Sequence, residues 1–303
     1  MTHPPVCDYE GSTYQATFWD TGERAYEDGA EAVALRAQLP KAGKLLLEVG
    51  AGAGRNTPRY GGFARVVLLD YSRTQLEQAQ QRLGRSDRYV YVVADVYRLP
   101  FRPEIFDAAT MIRVIHHMAD APAALAQVQA VLAPGATFIL EFANKRNFKA
   151  IARYWLRRQP WNPFTPEPVE FVALNYDFHP TRMLEWLARA GFATEDVRAL
   201  SYLRLGLLKR LLPTGLLVGL DAALQPSGRL APFSPSVFVR ARKISPNAPA
   251  PEVSGAVAFR CPNCGGADLI ETEGAVVCTA CKARWEVRDG IYDFKQPLAP
   301  QSP

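Results

Sequence analysis

The sequence predicts an α/β protein, a mainly parallel sheet with helices on both faces, followed by a small C-terminal unit of its own. Three observations lead there. Short aliphatic runs alternate with helical stretches between Lys44 and Leu140. A proline-rich, aperiodic segment crosses 245–255. Four of the five cysteines fall between Cys261 and Cys281. The composition allows this: 303 residues, 48% hydrophobic and 21% charged with a net charge of +5, supply a core and exclude a disordered or fibrous chain. The apolar stretch from Leu211 to Leu220 carries Pro213 and is too short to span a bilayer, so no transmembrane segment is expected. Met1 to Glu10 holds acids and prolines where a secretory signal needs a basic flank and an apolar run, and the clustered cysteines are no secreted disulfide framework. A cytoplasmic protein is expected.

The elements follow in order. Lys44–Gly50, Arg65–Asp70, Tyr89–Ala94, Phe106–Ile112 and Ala136–Phe142 are apolar on both faces, as buried parallel strands are. Arg73–Leu83 and Pro122–Leu132 have helical spacing, the second closed by Pro134 and Gly135. From Asn144 to Phe178 the chain turns basic, aromatic and proline-rich: Lys145, Arg146, Lys149, Arg153, Arg157 and Arg158 precede the first acid, Glu167. This segment reads as an insertion outside the core. A helix over Thr181–Ala190 ends at Gly191, and Phe192–Ser201 and Ser236–Arg242 read as two strands flanking a leucine-rich insertion, Leu203–Leu224. The expected division is 1–245, a linker at 246–255, and a second domain at 256–297. Residues 1–245 hold 30 basic and 23 acidic groups, a charge of +7; residues 246–303 hold 5 and 7, a charge of −2.

The first strand runs into Glu48-Val49-Gly50-Ala51-Gly52-Ala53-Gly54, a turn whose glycines allow positive φ and a close approach of backbone amides to a ligand. Dinucleotide sites place their third glycine where this chain has Arg55. Asp70 ends the second strand, where an acid accepts ribose hydroxyls from a nucleoside lying across the strand ends. Asp70 and Asp95 also suit plain helix caps.

Glu48 to Gly54, Asp70, Ala94-Asp95 and Phe106-Asp107 resemble the successive motifs of class I S-adenosylmethionine-dependent methyltransferases, over about residues 40–145. The resemblance implies a Rossmann-like, seven-stranded sheet with one antiparallel strand. It implies that Glu48, Gly50, Ala51, Gly52 and Gly54 form the loop on the methionine part, that Asp70 binds the ribose and Asp95 the adenine amino group, and that Tyr71 and Val96 flank the adenine. Arg113-Val114-Ile115-His116-His117 resembles the quinone-pathway branch, where it floors the cofactor and substrate site; Arg113 is bulkier and more charged than the residue common there.

Methyl transfer from a sulfonium needs mainly alignment, and an oxygen or carbon nucleophile must also lose a proton. His116, His117 and His179 are the candidate bases, against ordinary structural uses at helix starts. Tyr14, Phe18, Trp19, Arg24 and Tyr26 precede the first strand, where a helix could close over the cofactor, with Arg24 on the methionine carboxylate. The two insertions suit a lid for a small lipophilic or aromatic acceptor. Their mixture of bases and rings also suits RNA, and a plain helical cap is equally compatible.

Cys261-x2-Cys264 and Cys278-x2-Cys281 have the spacing of a tetrahedral zinc site, structural because four sulfurs leave no position for water. The segment through Trp285-Glu286-Val287-Arg288-Asp289-Gly290-Ile291-Tyr292 resembles the small zinc-ribbon activator subunit that partners tRNA and release-factor methyltransferases. That resemblance implies a ribbon fused in cis and docked on its own catalytic domain. The expected activity is methyl transfer to a small acceptor, with a tRNA or translation-protein substrate, or a non-catalytic cofactor-binding module, as competing readings.

Overall fold

The computed structural model describes residues 4–13, 15–19, 21–244 and 254–299. Tyr14 and nearly all of the expected linker, through 253, lie outside the described residues. In chain order come α1 (Ala25–Gln38), β1 (Gly43–Val49), β2 (Phe63–Asp70), α2 (Arg73–Leu83), β3 (Tyr89–Val93), β4 (Phe106–Met111), α3 (Ala121–Val131) and β5 (Leu132–Ala143). Then follow α4 (Phe148–Trp155), a hairpin of β6 (Val169–Val172) and β7 (Asn175–Asp177), α5 (Pro180–Arg189), β8 (Phe192–Leu200), α6 (Gly206–Leu211), α7 (Thr214–Leu224) and β9 (Ser236–Lys243). The C-terminal unit adds β10 (Leu269–Thr272), β11 (Ala275–Cys278), β12 (Arg284–Arg288) and β13 (Ile291–Asp293).

Strands lie in the order β3-β2-β1-β4-β5-β9-β8, parallel from β3 to β5, with β9 antiparallel to both its neighbours. This is the expected seven-stranded sheet with one antiparallel strand. The aliphatic runs form it because helices cover both faces: Leu45, Leu47, Val67 and Val92 point into one core, Leu46, Val66 and Leu68 into the other, all fully buried.

The sheet does not stop at β3. β13 pairs parallel with it from Ile291↔Tyr91 to Asp293↔Val93, and β12, β11 and β10 follow antiparallel, giving eleven strands. An edge strand offers unpaired amides and carbonyls, and β13 takes up that row on β3. Phe259 stacks on Phe101 at 5.8 Å and packs on Tyr292 and Phe294 at 4.9 and 5.0 Å, so the join has an aromatic core. The Arg73 guanidinium reaches across it, donating to Glu286 at 3.1 Å and to the Arg288 carbonyl at 3.0 Å. Asp289 and Gly290, both at positive φ, turn β12 into β13.

The glycine turn leads into one 3-10 turn, Thr57–Tyr60, followed by Gly61-Gly62. Two expectations need correction. Pro134 and Gly135 do not close the helix before them, because Leu132 already pairs with Phe106 and starts β5. The segment 144–178 is not wholly outside the core. Its ends are buried, with the Asn144 amide donating to the Pro232 and Ser234 carbonyls at 2.9 and 2.8 Å and Lys145 Nζ donating to the Glu167 carbonyl at 2.7 Å.

Candidate active site

The glycine turn, Asp70, Val96 and Arg113 all follow the C-terminal ends of parallel strands, and a cavity of about 130 Å³ opens between them. Gly50 has φ +68°, and a Cβ there would lie 2.1 Å from Val114. The Gly50 and Ala51 amides donate to the Leu69 carbonyl at 2.7 and 3.0 Å, which pulls the turn onto β2. Next, the Gly52 amide donates to Asp70 Oδ2 at 2.8 Å and the Ser72 amide to Oδ1 at 2.9 Å. Burial raises the Asp70 carboxyl above its usual range, and these two amides oppose the rise. Each oxygen accepts one of these bonds and keeps acceptor capacity for a ligand. Gly54, at φ +72°, packs on Leu83 and Ala79 behind the turn instead.

Glu48 lines the same cavity, but its carboxylate accepts from Thr57 Oγ1 at 2.6 Å and from the Tyr60 hydroxyl at 3.1 Å. Burial pushes it up to about 7. Tyr71 and Val96 line the cavity. Asp95 does not: its Oδ1 accepts from the Tyr97 amide at 2.9 Å, capping the short 3-10 turn Val96–Arg98, the capping use open from the sequence.

Arg113 lines the cavity with its backbone at φ +59° and its amide donating to Glu141 at 2.9 Å. Its guanidinium pairs with Glu31 of α1, as does Arg55 at 2.7 Å. Arg55 stands 3.7 Å over the Trp19 ring and Arg113 4.9 Å, so one buried acid and one indole hold two cations at the cavity wall. Arg24 is elsewhere, with its guanidinium 3.5 Å from Glu27 and 4.3 Å over Phe18. Beside Arg113, the cation on this wall is Arg55, a position the sequence marked only as the absent third glycine.

The histidines separate. His117 lines the cavity; its Nδ1 lies 3.1 Å from the Leu174 carbonyl and its Nε2 3.2 Å from the Tyr9 hydroxyl. A carbonyl only accepts, so Nδ1 carries the proton and Nε2 presents its lone pair to Tyr9. Burial lowers its pKa, which keeps the ring neutral near pH 7. His116 lies beside it, 4.2 Å between ring centroids with the rings tilted by 51°, with burial holding its pKa well below the usual value and Nδ1 without a partner among the described residues. His179 caps α5, its Nδ1 accepting from the Thr181 amide at 3.3 Å, and lies outside the cavity lining. Tyr9 and Met118 also line the cavity and carry no sequence signal. Only the fold brings Tyr9 to His117, 108 residues away.

Outside the lining of this cavity, the sulfurs of Cys261, Cys264, Cys278 and Cys281 all lie within 4.8 Å of one another. Cys261 and Cys281 are 3.7 Å apart, Cys264 and Cys278 3.6 Å. Sulfurs at about 2.3 Å from a zinc ion form a tetrahedron with edges of about 3.8 Å, so this all-sulfur donor set fits one. The Gly266 amide and the Asn263 side-chain amide point at Cys264 and Cys281, as donors to metal-bound sulfur do.

A family described as a methyltransferase domain matches residues 47–140. A demethylmenaquinone methyltransferase of Clavibacter sepedonicus is 28% identical over 212 residues, 66% of this chain and 81% of that protein. A 2-phytyl-1,4-naphtoquinone methyltransferase of Nostoc punctiforme is 33% identical over 123 residues, 38% of this chain and 54% of that protein. The chain thus spans most of the first relative and about half of the second. Among solved structures, a chain from the complex between the Haloferax volcanii Trm112 methyltransferase activator and a methyltransferase superposes with a TM-score of 0.54 at 15% identity. It covers 77% of this chain and 96% of its own length, a likeness of fold.

Proposed function

We propose that the chain is an S-adenosylmethionine-dependent methyltransferase of the class I fold and that it methylates a small lipophilic or aromatic acceptor in the cavity beside the glycine turn. One observation carries the reading: Val6, Tyr9, Val114 and Met118 line the cavity together with a neutral His117, an apolar and aromatic lining with one histidine in it. Two relatives named for quinone-type acceptors support it.

In this reading Asp70 accepts the ribose hydroxyls, the amides of the 50–52 turn approach the methionine part, and Tyr71 and Val96 enclose the adenine. Asp95 orders the turn that carries Val96. Arg55 and Arg113, paired through Glu31, face the carboxylate end, where Arg24 would arrive only after leaving Glu27. When bound, the cofactor supplies a methyl group already activated on a sulfonium, so the residues have only to align the acceptor and take its proton. His117 Nε2 takes that proton, directly or through the Tyr9 hydroxyl, while the Leu174 carbonyl fixes the ring. His116 and His179 support neighbouring structure.

The four cysteines hold a structural zinc, and the ribbon stabilises the catalytic sheet along β3, in cis, as the expected activator-like module. No helix among the described residues is long and apolar enough to cross a membrane, and we place the enzyme in the cytoplasm.

The test is incubation of the purified protein with radiolabelled cofactor and separate lipid-extract, RNA and protein fractions. Label in the organic-soluble fraction is expected. Label confined to RNA or protein overturns the acceptor class, and no transfer to any fraction returns the non-catalytic module.

A further inference from the structure

An ordinary surface helix turns its leucines inward and its polar residues outward. α7 departs from this: it buries Leu217 but turns its other leucines outward. Asp221 and Gln225 are buried: Asp221 accepts from the Tyr26 hydroxyl at 2.6 Å and from the Tyr202 amide at 3.0 Å, and Gln225 donates to the Ala30 carbonyl at 3.0 Å. Leu216, Leu220 and Leu224, spaced by four residues along the opposite face, are 44–50% exposed. Leu207 and Leu211 continue the apolar row on α6, each 68% exposed, and nothing among the described residues covers them.

α4 stands beside this row. Lys149 Nζ donates to the Arg204 carbonyl at 2.5 Å, and the Phe148 ring lies 6.3 Å from that of Tyr202. α4 ends in Trp155 and Leu156, 73% and 63% exposed. The bases interleaved with these apolar groups are also exposed: Lys149, Arg153, Arg157, Arg158 and Arg210. No acid interrupts them from Asn144 to Pro166 or from Val197 to Leu220.

We propose that the α4–α6–α7 surface is a docking face for an anionic lipid bilayer, with the leucines and Trp155 entering the acyl boundary and the arginines meeting the headgroups. Apolar area alone would suit a second copy of the chain equally well. The charge decides between them, because a two-fold contact would set the exposed bases of α4 and α6 against their own copies, whereas an anionic bilayer neutralises them. Tryptophan at such a boundary keeps its ring in the apolar zone and its N–H in the wet one. The face also lies on the working side of the protein. α4 follows the C-terminal end of β5, α6 follows that of β8, which runs parallel to β5, and the cavity opens at the same strand ends. The inference stands on these surface residues and is independent of which acceptor the cavity takes.

The test is co-sedimentation of the full chain with vesicles of phosphatidylcholine alone or of equimolar phosphatidylcholine and phosphatidylglycerol. The wild-type chain is expected to sediment with the anionic vesicles only and to be released by salt. A triple variant, Leu207→Ser, Leu211→Ser, Leu216→Ser, and a charge-reversed one, Arg153→Glu, Arg157→Glu, Arg210→Glu, are each expected to lose more than about tenfold in partition. Both should keep wild-type melting and cofactor affinity, since every substituted side chain is exposed. Failure to bind anionic vesicles overturns the proposal, as does undiminished binding by both variants. A wild-type dimer in light scattering that the leucine variant splits to monomers also overturns it, in favour of a second copy.

Discussion

Two additions flank the seven-stranded sheet, and they are finished in opposite ways. At the β3 edge the ribbon buries the apolar groups that face the join: Trp285, Ile291 and Phe294 are 2% exposed or less, while Ile270 and Leu298 stay outside, and the join is closed by a strand ladder, stacked rings and Arg73. Toward the β8 edge, α7 and the turn after it bury Leu217, Asp221 and Gln225, while Leu207 and Leu211 of α6 and Leu216, Leu220 and Leu224 of α7 stay outside. Burial of apolar area stabilises a fold; exposure of it contributes nothing until something arrives to cover it. On the proposals above, the first addition belongs to the stability of the enzyme and the second to what the enzyme meets.

The strongest way to break that contrast is to remove the ribbon. A chain ending at residue 253 would expose the edge of β3 and the wholly buried Phe101 ring. Its melting temperature should fall by more than about 10 °C, or the protein should aggregate through the open edge. Phe101→Ala, with the ribbon kept, should cost about 3–5 kcal/mol, which a denaturant titration would read directly. Stripping metal with a chelator should reproduce much of the loss, because so small a unit cannot hold its fold without the cysteine site. Unchanged melting in all three cases would make the ribbon a passenger.

A smaller effect is expected in the turn that lies between the two additions. Gly50→Ala places a Cβ against Val114 at a φ that alanine resists, so the loop must move away from β2. Cofactor affinity measured by calorimetry should fall about 100-fold. Asp70→Asn keeps the shape and removes the charge, and about tenfold is expected. Equal affinities for both variants and wild type would place the cofactor elsewhere.

How far the sequence foretold these regions follows the same division. β1 to β5 were legible because strands buried on both faces must be aliphatic throughout, and the glycine turn because positive φ at Gly50, Gly52 and Gly54 leaves little choice of residue. The four cysteines announced their site by spacing alone. What stayed hidden depends on partners distant in sequence. Arg55 and Arg113 share Glu31, Tyr9 meets His117, and β13 finds β3, and none of these pairings leaves a local pattern. Arg24 shows the converse: composition drew it toward the cofactor, while Glu27, three residues on, holds it.

The histidine pair gives a titration that belongs to the α4–β7 side. Burial lowers His117 and His116 below 6.5, so in the window between their depressed values and 6.5 the unfolded chain binds more protons than the folded one. Stability should therefore fall as pH drops through that window, by up to about 1.4 kcal/mol per pH unit for each histidine. His117→Gln should shallow the slope. Turnover should hold level from neutrality down to the lowered value and then decline, because only the neutral ring accepts a proton. A decline already beginning above pH 6.5 would rule out His117 as the base.

The smallest expected effect is the one that separates the two additions most cleanly. Leu207 and Leu211 are mostly in water in the free protein, so converting both to serine removes little buried area, and the change in stability should stay within about 0.5 kcal/mol. The same chemistry on the next helix is different: Leu217 of α7 is 1% exposed, and Leu217→Ser should cost several times as much. Thermal melts of the two variants side by side decide the matter. If the exposed pair proves as costly as Leu217, those leucines are already covered in solution, and the α6–α7 face is an internal or self-assembled surface.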